Sequence, residues 1–396
     1  MAAALKLTPA EEALLQHLPA GDVADAFRSS GLPNRRTEEW RWTDLRAALK
    51  GPVPLSAPYA AEIDTVPIDA GGALTFIFAN GVLVQQPGTL PEGVSLKREA
   101  GYDVGLRGPV GTLAGALVQA PQSLCIEKDI ASPISVRYLS DGQGMHQTLL
   151  QVHVAEGVQC RFIETHETAG AAFANGMTEF FVGEGANVER VIFQPASAEA
   201  VTVQSSLVLL MASAKFHQTV LGFGGRLARF ETRLQHGGEK TEAVLNGAYL
   251  LSDKNHFDAT SVVEHKQPVC TTDETFKGVL RDQSKGVFQG LFHVAREAQQ
   301  TDAQMAHHAL LLSGEAEVNA KPELKIYADD VQCAHGNTAG ALDDDALFYM
   351  RQRGLSEAEA RAMLVEAFVA EVIEQVSDEA LQQQLTDEVR RWMAAS

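Results

Sequence analysis

The sequence predicts a mainly β protein with helical regions at its two ends, and three observations carry that reading. Short β-prone runs separated by Gly, Asp, Asn or Ser recur from about 133 to 340. Similar words return inside that stretch: EGVQCRFIET from Glu156, EGANVERVIF from Glu184, and comparable turn-then-strand words from Ser213 and Glu239, at spacings of 28, 29 and 26 residues. Helical periodicity is confined to the N-terminal forty-five or so residues and the stretch from 343 onward. A period of that length marks a solenoid, whose coils bury their apolar faces only by stacking on one another. On pattern alone a β-sandwich competes with it.

Each element has a local cause. Thr8-Pro9-Ala10-Glu11 is a capping box with proline at the first helical position, and Ala13, Leu14, Leu15 and Leu18 follow on one face. A second short helix is predicted from Asp22 to Arg28, and Trp40 and Trp42 are read as core packing. Residues 51 to 72, rich in Pro, Ala and Gly, read as a connector. In LTFIFANGVLV, Asn80-Gly81 between two apolar runs predicts a tight hairpin. Past the β stretch, Ser356 with Glu359 forms a second capping box, and Ala360, Met363, Leu364, Ala367 and Phe368 share a face. A further amphipathic run carries Leu381, Leu385, Val389 and Trp392. The expected organisation is an N-terminal helical region with a small hairpin over 1–100, a β core over 101–342 and a C-terminal helical region over 343–396.

Composition excludes several functions. The 396 residues carry a net charge of −19 with basic residues scattered, which opposes nucleic acid and anionic lipid surfaces. The N-terminus lacks the basic and long apolar segments of a targeting peptide, and the apolar run from Ser206 to Ala214 is too short to span a bilayer, so a cytoplasmic protein is expected. Four cysteines, Cys125, Cys160, Cys270 and Cys333, lie far apart and form no CxxC. They cannot make a self-contained four-thiolate site, so any cluster here needs ligands from a partner. No phosphate cradle exists: HGGEKT at His236 lacks the glycine required before lysine, and LGFGGR at Leu221 lacks the third fingerprint glycine. Energy input must come from another protein.

The stretch from Lys321 to Gly354, KPELKIYADDVQCAHGNTAGALDDDALFYMRQRG, is the most informative in the chain. Cys333 and His335 stand two residues apart, so on an extended strand both side chains take the same face and could converge on one metal or reactive centre. Thiolate and imidazole are ligand types suited to iron and cluster intermediates. Asp329 and Asp330 read as a strand-ending turn, and Asp343, ahead of Asp344 and Asp345, as a helix N-cap. His256, His265, His293, His307 and His308 fall within reach of one solenoid face but show no ligand spacing, and read as structural.

The word order of this stretch resembles the C-terminal signature of the SufB/SufD family of iron–sulfur cluster assembly scaffolds, on its SufD side. RRTEEWRWTDL, from Arg35 to Leu45, resembles the family's N-terminal region more weakly. The resemblance implies a right-handed parallel β-helix with helical regions at both ends. It implies a non-catalytic scaffold subunit that pairs with SufB through the β-helix ends and docks the SufC ATPase through its C-terminal region. SufC dimerisation on ATP would strain that pairing and open a site where a SufB cysteine and His335 meet iron or a nascent cluster, with Cys333 as a second candidate ligand. A reduced flavin on the complex and a homodimer of the isolated chain also stay open. Two other readings remain: the paralogue SufB, which is usually longer and richer in cysteine, and a β-helix carbohydrate lyase or hydrolase using aspartates, a class commonly exported.

Overall fold

The computed structural model describes residues 5–49, 51, 53–63, 68–69, 71–99, 106–142 and 144–395. The first four residues and the expected boundary at 100/101 lie outside them. The fold is a parallel β-solenoid of about eight turns with helices at both termini. Each turn contributes one strand to each of two facing sheets, one of ten strands and one of nine.

Register fixes the repeat. Gln159 pairs with Asn187, Asn187 with Lys215 and Lys215 with Glu242, so these rungs are 28, 28 and 27 residues long. At one corner of each rung the chain enters the left-handed region, at Gly157, Gly185, Ser213, Lys240, Val269 and Gln300. The amide of each donates to the carbonyl at the corner of the next rung: Gly157 to Glu184 at 2.8 Å, Gly185 to Ala212 at 2.9 Å, Ser213 to Glu239 at 2.8 Å and Val269 to Gln299 at 2.9 Å. The repeated words of the sequence are these corners with the strands they feed.

The interior is filled by residues stacked in columns at matching register. One column runs through Phe162, Arg190, Gln218, Leu245, Glu274, Met305 and His335. Phe162, Phe180, Phe216, Phe257 and Phe288 fill much of the space between the sheets. The charges inside it are paired: Arg190, fully buried, grips both Glu164 oxygens at 2.7 and 2.8 Å and reaches Ser206 across the interior at 2.7 Å. Burial pushes the Glu164 carboxyl up, but Arg190 and His166 outweigh it and hold it at about 2.

Helices cover both outer faces, as parallel sheets require. Helices Pro9–His17, Asp22–Ser30 and Pro109–Leu117 pack with Trp40 over Met145, Phe173, Val201 and Leu227 of the nine-stranded sheet. Helices Asp344–Gln352, Glu357–Ile373 and Glu379–Ala394 pack over Ile163, Phe193, Leu221, Leu250 and Val279 of the ten-stranded sheet. The two capping boxes form as expected, Thr8 with Glu11 and Ser356 with Glu359, and Asp343 accepts from the amides of Asp345 and Ala346.

The predicted hairpin forms from Leu74–Ala79 and Val82–Gln85, with Asn80 and Gly81 both at positive φ, 46° and 85°. It does not stand apart with the N-terminal helices, because Leu74–Ala79 also pairs in parallel with Ile134–Leu139. Its apolar run is buried on both sides only by joining the sheet, so the solenoid starts inside the stretch expected to be N-terminal. No helix among the described residues is long and apolar enough to cross a membrane.

Candidate functional site

The last rung comprises strands Glu317–Ile326 and Gln332–Gly340, each at the end of its sheet with one edge unpaired. Cys333 and His335 lie on the second of these. Their register partners, Ala303 and Met305, are buried in the solenoid interior, so both residues belong to inward-facing columns. No rung follows, and the columns open to solvent there. His335 is exposed and has no hydrogen-bonding or ionic partner among the described residues. The pair therefore shares a face, as the two-residue spacing predicts.

Cys333 is half-buried, packed against the solenoid interior and the small cluster of Val294, Ala298 and Ala328, and burial with the negative charge of Asp302 pushes its thiol up. Two residues past His335, Asn337 Oδ1 lies 2.7 Å from His307 Nδ1, and His307 Nε2 lies 2.7 Å from the Tyr249 hydroxyl. Burial holds His307 near 4, so it is neutral. Nδ1 then donates to Asn337 and Nε2 accepts from Tyr249, a chain that anchors the edge strand to the interior. The sequence reads His307 as structural, without naming its partner. The thirty-residue spacing of His307 and Asn337, one rung, was the signal that joins them.

The remaining candidates separate from this site. Asp329 and Asp330 lie between the two edge strands, and Asp330 O accepts from Gln300 N at 2.6 Å. Asp344 and Asp345 occupy the first turn of their helix. Cys160 is buried with its thiol pushed up to about 12, and the Cys270 thiol lies 3.3–3.4 Å from the carbonyls of Gln267, Pro268 and Gly238, with one proton to give among them. His236 and His265 stack at 4.2 Å inside the protein. Among the described residues no three His, Cys, Asp or Glu gather where they could hold a metal ion. Cys333 and His335 thus offer at most two ligands, and completing a cluster's set would fall to other groups.

What distinguishes the two edge strands is how they are protected. Gln332 N donates to Thr301 O at 2.9 Å, so by alternation the amides of Cys333, His335, Asn337 and Ala339 face the free edge. This strand carries no proline, lysine, arginine or carboxylate. In Glu317–Ile326, Glu317 N donates inward to Ser284 O at 3.0 Å, which places Pro322 at an outward position where it has no N–H to offer. Lys321 and Lys325 flank it. Proline and lysine are the devices by which proteins blunt an edge. One edge of the last rung is blunted and the other, bearing Cys333 and His335, is left open to pair.

Comparison with known proteins agrees with this architecture. Residues 137–368 match the model of the SUF system FeS cluster assembly SufBD core domain. The chain is 29% identical to the iron–sulfur cluster assembly protein SufD of Escherichia coli (strain K12), covering 90% of this chain and 88% of that protein. It is 27% identical to an iron–sulfur cluster assembly SufBD family protein of Synechocystis, covering 95% and 90%, and 25% identical to Protein ABCI7, chloroplastic, of Arabidopsis thaliana, covering 98% and 88%. With the family's core domain matched across more than half its length and relatives matched nearly end to end, the chain belongs to the SufB/SufD family, scaffold-type proteins of iron–sulfur cluster assembly.

Proposed function

We propose that the chain is the SufD-type scaffold subunit of a cytoplasmic SufBCD complex and that the open edge Gln332–Gly340 is its pairing surface for SufB. The observation that carries this is the placement of the unpartnered His335 on the one unblunted edge of the last rung. A partner strand added there would bond the free amides of Cys333, His335, Asn337 and Ala339. It would also close the interior column over His335, bringing a partner thiolate within reach of its imidazole. The cargo is iron or a nascent iron–sulfur cluster held transiently between the two chains. ATP hydrolysis is assigned to SufC, docked on the C-terminal helices through the exposed Phe348, Tyr349 and Met363. The buried face of those helices is already used against the ten-stranded sheet, so deleting them would uncover the core, and substitutions at the three exposed side chains are the sound probe. Without SufB, the same edge would pair two copies of this chain.

The test is iron and acid-labile sulfide in the complex coexpressed with SufB and SufC. His335→Ala should assemble normally, because the side chain makes no bond among the described residues, and should lose iron, sulfide and visible absorbance. Cys333→Ala should be milder if the thiol chiefly packs. Wild-type iron and sulfide content in a fully assembled His335→Ala complex refutes the role.

A further inference from the structure

The N-terminal word RRTEEWRWTDL meets the last rung through Glu38, which pairs with Lys321 at 3.1 Å. It crosses the outer face of the nine-stranded sheet, where Arg233 pairs with Glu39 at 2.6 Å and Gln289 donates to the Glu39 carbonyl at 3.0 Å. The buried Trp40 ring covers the Arg229 guanidinium at 4.0 Å, and the buried Thr43 hydroxyl donates to the Asp258 carboxylate. Because that hydroxyl has a single proton, the His256 Nε2 at 3.2 Å must donate to it, leaving Nδ1 as an acceptor. Arg41 and Trp42 between these anchors, and Asp44 just past them, line a cavity of about 730 Å³. Its floor is formed by strand residues that include Arg226, His256 and Lys285.

The cavity is basic in an acidic protein. Arg35, Arg41, Arg226, Lys254 and Lys285 line it against only Asp44 and Glu317, five positive charges against two, while the whole chain carries −19. Burial holds His256 near 4, so it adds no charge. Lys285 meets Glu317 at 3.1 Å, Arg35 lies 3.8 Å from Asp44, and Arg226 pairs with Glu199. Arg41 and Lys254 have no carboxylate partner among the described residues, and Arg41 sits 5.6 Å over the Trp42 ring. Grouped cations that repel one another are costly unless an anion neutralises them, and guanidinium forks match phosphate oxygens in pairs. The volume is that of a small-molecule site, roughly 300–1,000 Å³, larger than a bare inorganic anion needs.

From this geometry we infer that the cavity beneath Arg41 and Trp42 binds a small molecule bearing a di- or triphosphate group. It is remote from His335 in the sequence and is built on the other sheet, so its failure would leave the open-edge reading intact. The test is calorimetric titration of the full-length chain with inorganic pyrophosphate at low ionic strength. One saturable site per chain is expected, weakened at least tenfold by Arg41→Gln combined with Lys254→Gln, whose side chains are exposed and whose loss should leave the melting temperature unchanged. Lys325→Gln, an exposed lysine outside the cavity, should bind as wild type. Absence of saturable binding, equal weakening by Lys325→Gln, full affinity in the double variant, or equal affinity for citrate would each overturn the inference.

Discussion

The two ends of the solenoid are finished in opposite ways. At the N-terminal end each sheet ends in a short antiparallel strand, Val82–Gln85 turned back on Leu74–Ala79 and Val94–Lys97 set against Gln122–Ile126. At the C-terminal end both sheets end in long parallel strands, and the exposed Gln332–Gly340 carries Cys333 and His335. An unpaired edge invites association; the N-terminal edges are strands of four residues, and short edges are one way to discourage it, whereas Gln332–Gly340 has nine residues and no proline, lysine or carboxylate. The corners follow the same gradient. Toward the capped end they are Gly157 and Gly185, and toward the bare end Lys240, Val269 and Gln300 hold the same left-handed backbone without glycine's freedom.

The largest effect separates the sealed interior from the open end of one column. Glu274, three residues deep in the column that ends at His335, is pushed up to about 8 by burial, with Asp273 adding to it and the Ser261 hydrogen bond opposing it. Its ordinary value is 4.5, so as pH rises from there to about 8 the unfolded chain is ionised while the folded chain keeps its proton. Stability therefore falls across that window, by on the order of 3–5 kcal/mol from this group. Urea unfolding at pH 5 and pH 8 should show that Glu274→Gln gains on wild type at the higher pH. Equal pH dependence of the two proteins would mean the interior is wet.

Next in size is the cap. A Cβ at Gly81 would lie 2.7 Å from the Gln147 carbonyl oxygen, and φ there is 85°. Gly81→Val should cost about 3 kcal/mol through clash and left-handed strain, read as a lower melting temperature. An unchanged melting temperature would show that the hairpin does not hold this end. At the bare end Ala339→Pro should do the reverse. Its amide faces the free edge, so the isolated chain loses less than about 1 kcal/mol, while pairing with SufB should weaken at least about tenfold. Undiminished pairing would move the interface elsewhere. The smallest effect is at a strained corner: Val269→Gly, φ 61°, should raise stability by about 1 kcal/mol, and a loss would mean the corner carries no strain.

Much of this was legible in the sequence because it is local or periodic. The caps at Thr8, Asp343 and Ser356, the Asn80-Gly81 turn and the rung-length repeat all follow from a few neighbouring residues. The shared face of Cys333 and His335 needed only strand alternation. What was hidden depends on register between rungs. Assignment of the hairpin to the sheet requires knowing that Leu74 meets Ile134, and the His307–Asn337 bond requires a one-rung offset. The N-terminal word was read as packing, which holds for Trp40 but not for Trp42, whose role appears only once Lys254 and Lys285 of later rungs are placed beside it.

The most direct test of the account is amide hydrogen exchange on the dilute chain with and without SufB. In the isolated protein the outward amides of Cys333, His335, Asn337 and Ala339 should exchange rapidly, while Leu74–Ala79, paired on both sides, is protected. On adding SufB the four should become protected and the hairpin should not change. Protection gained at the hairpin, or none gained along Gln332–Gly340, would contradict the claim that the bare end is the working end.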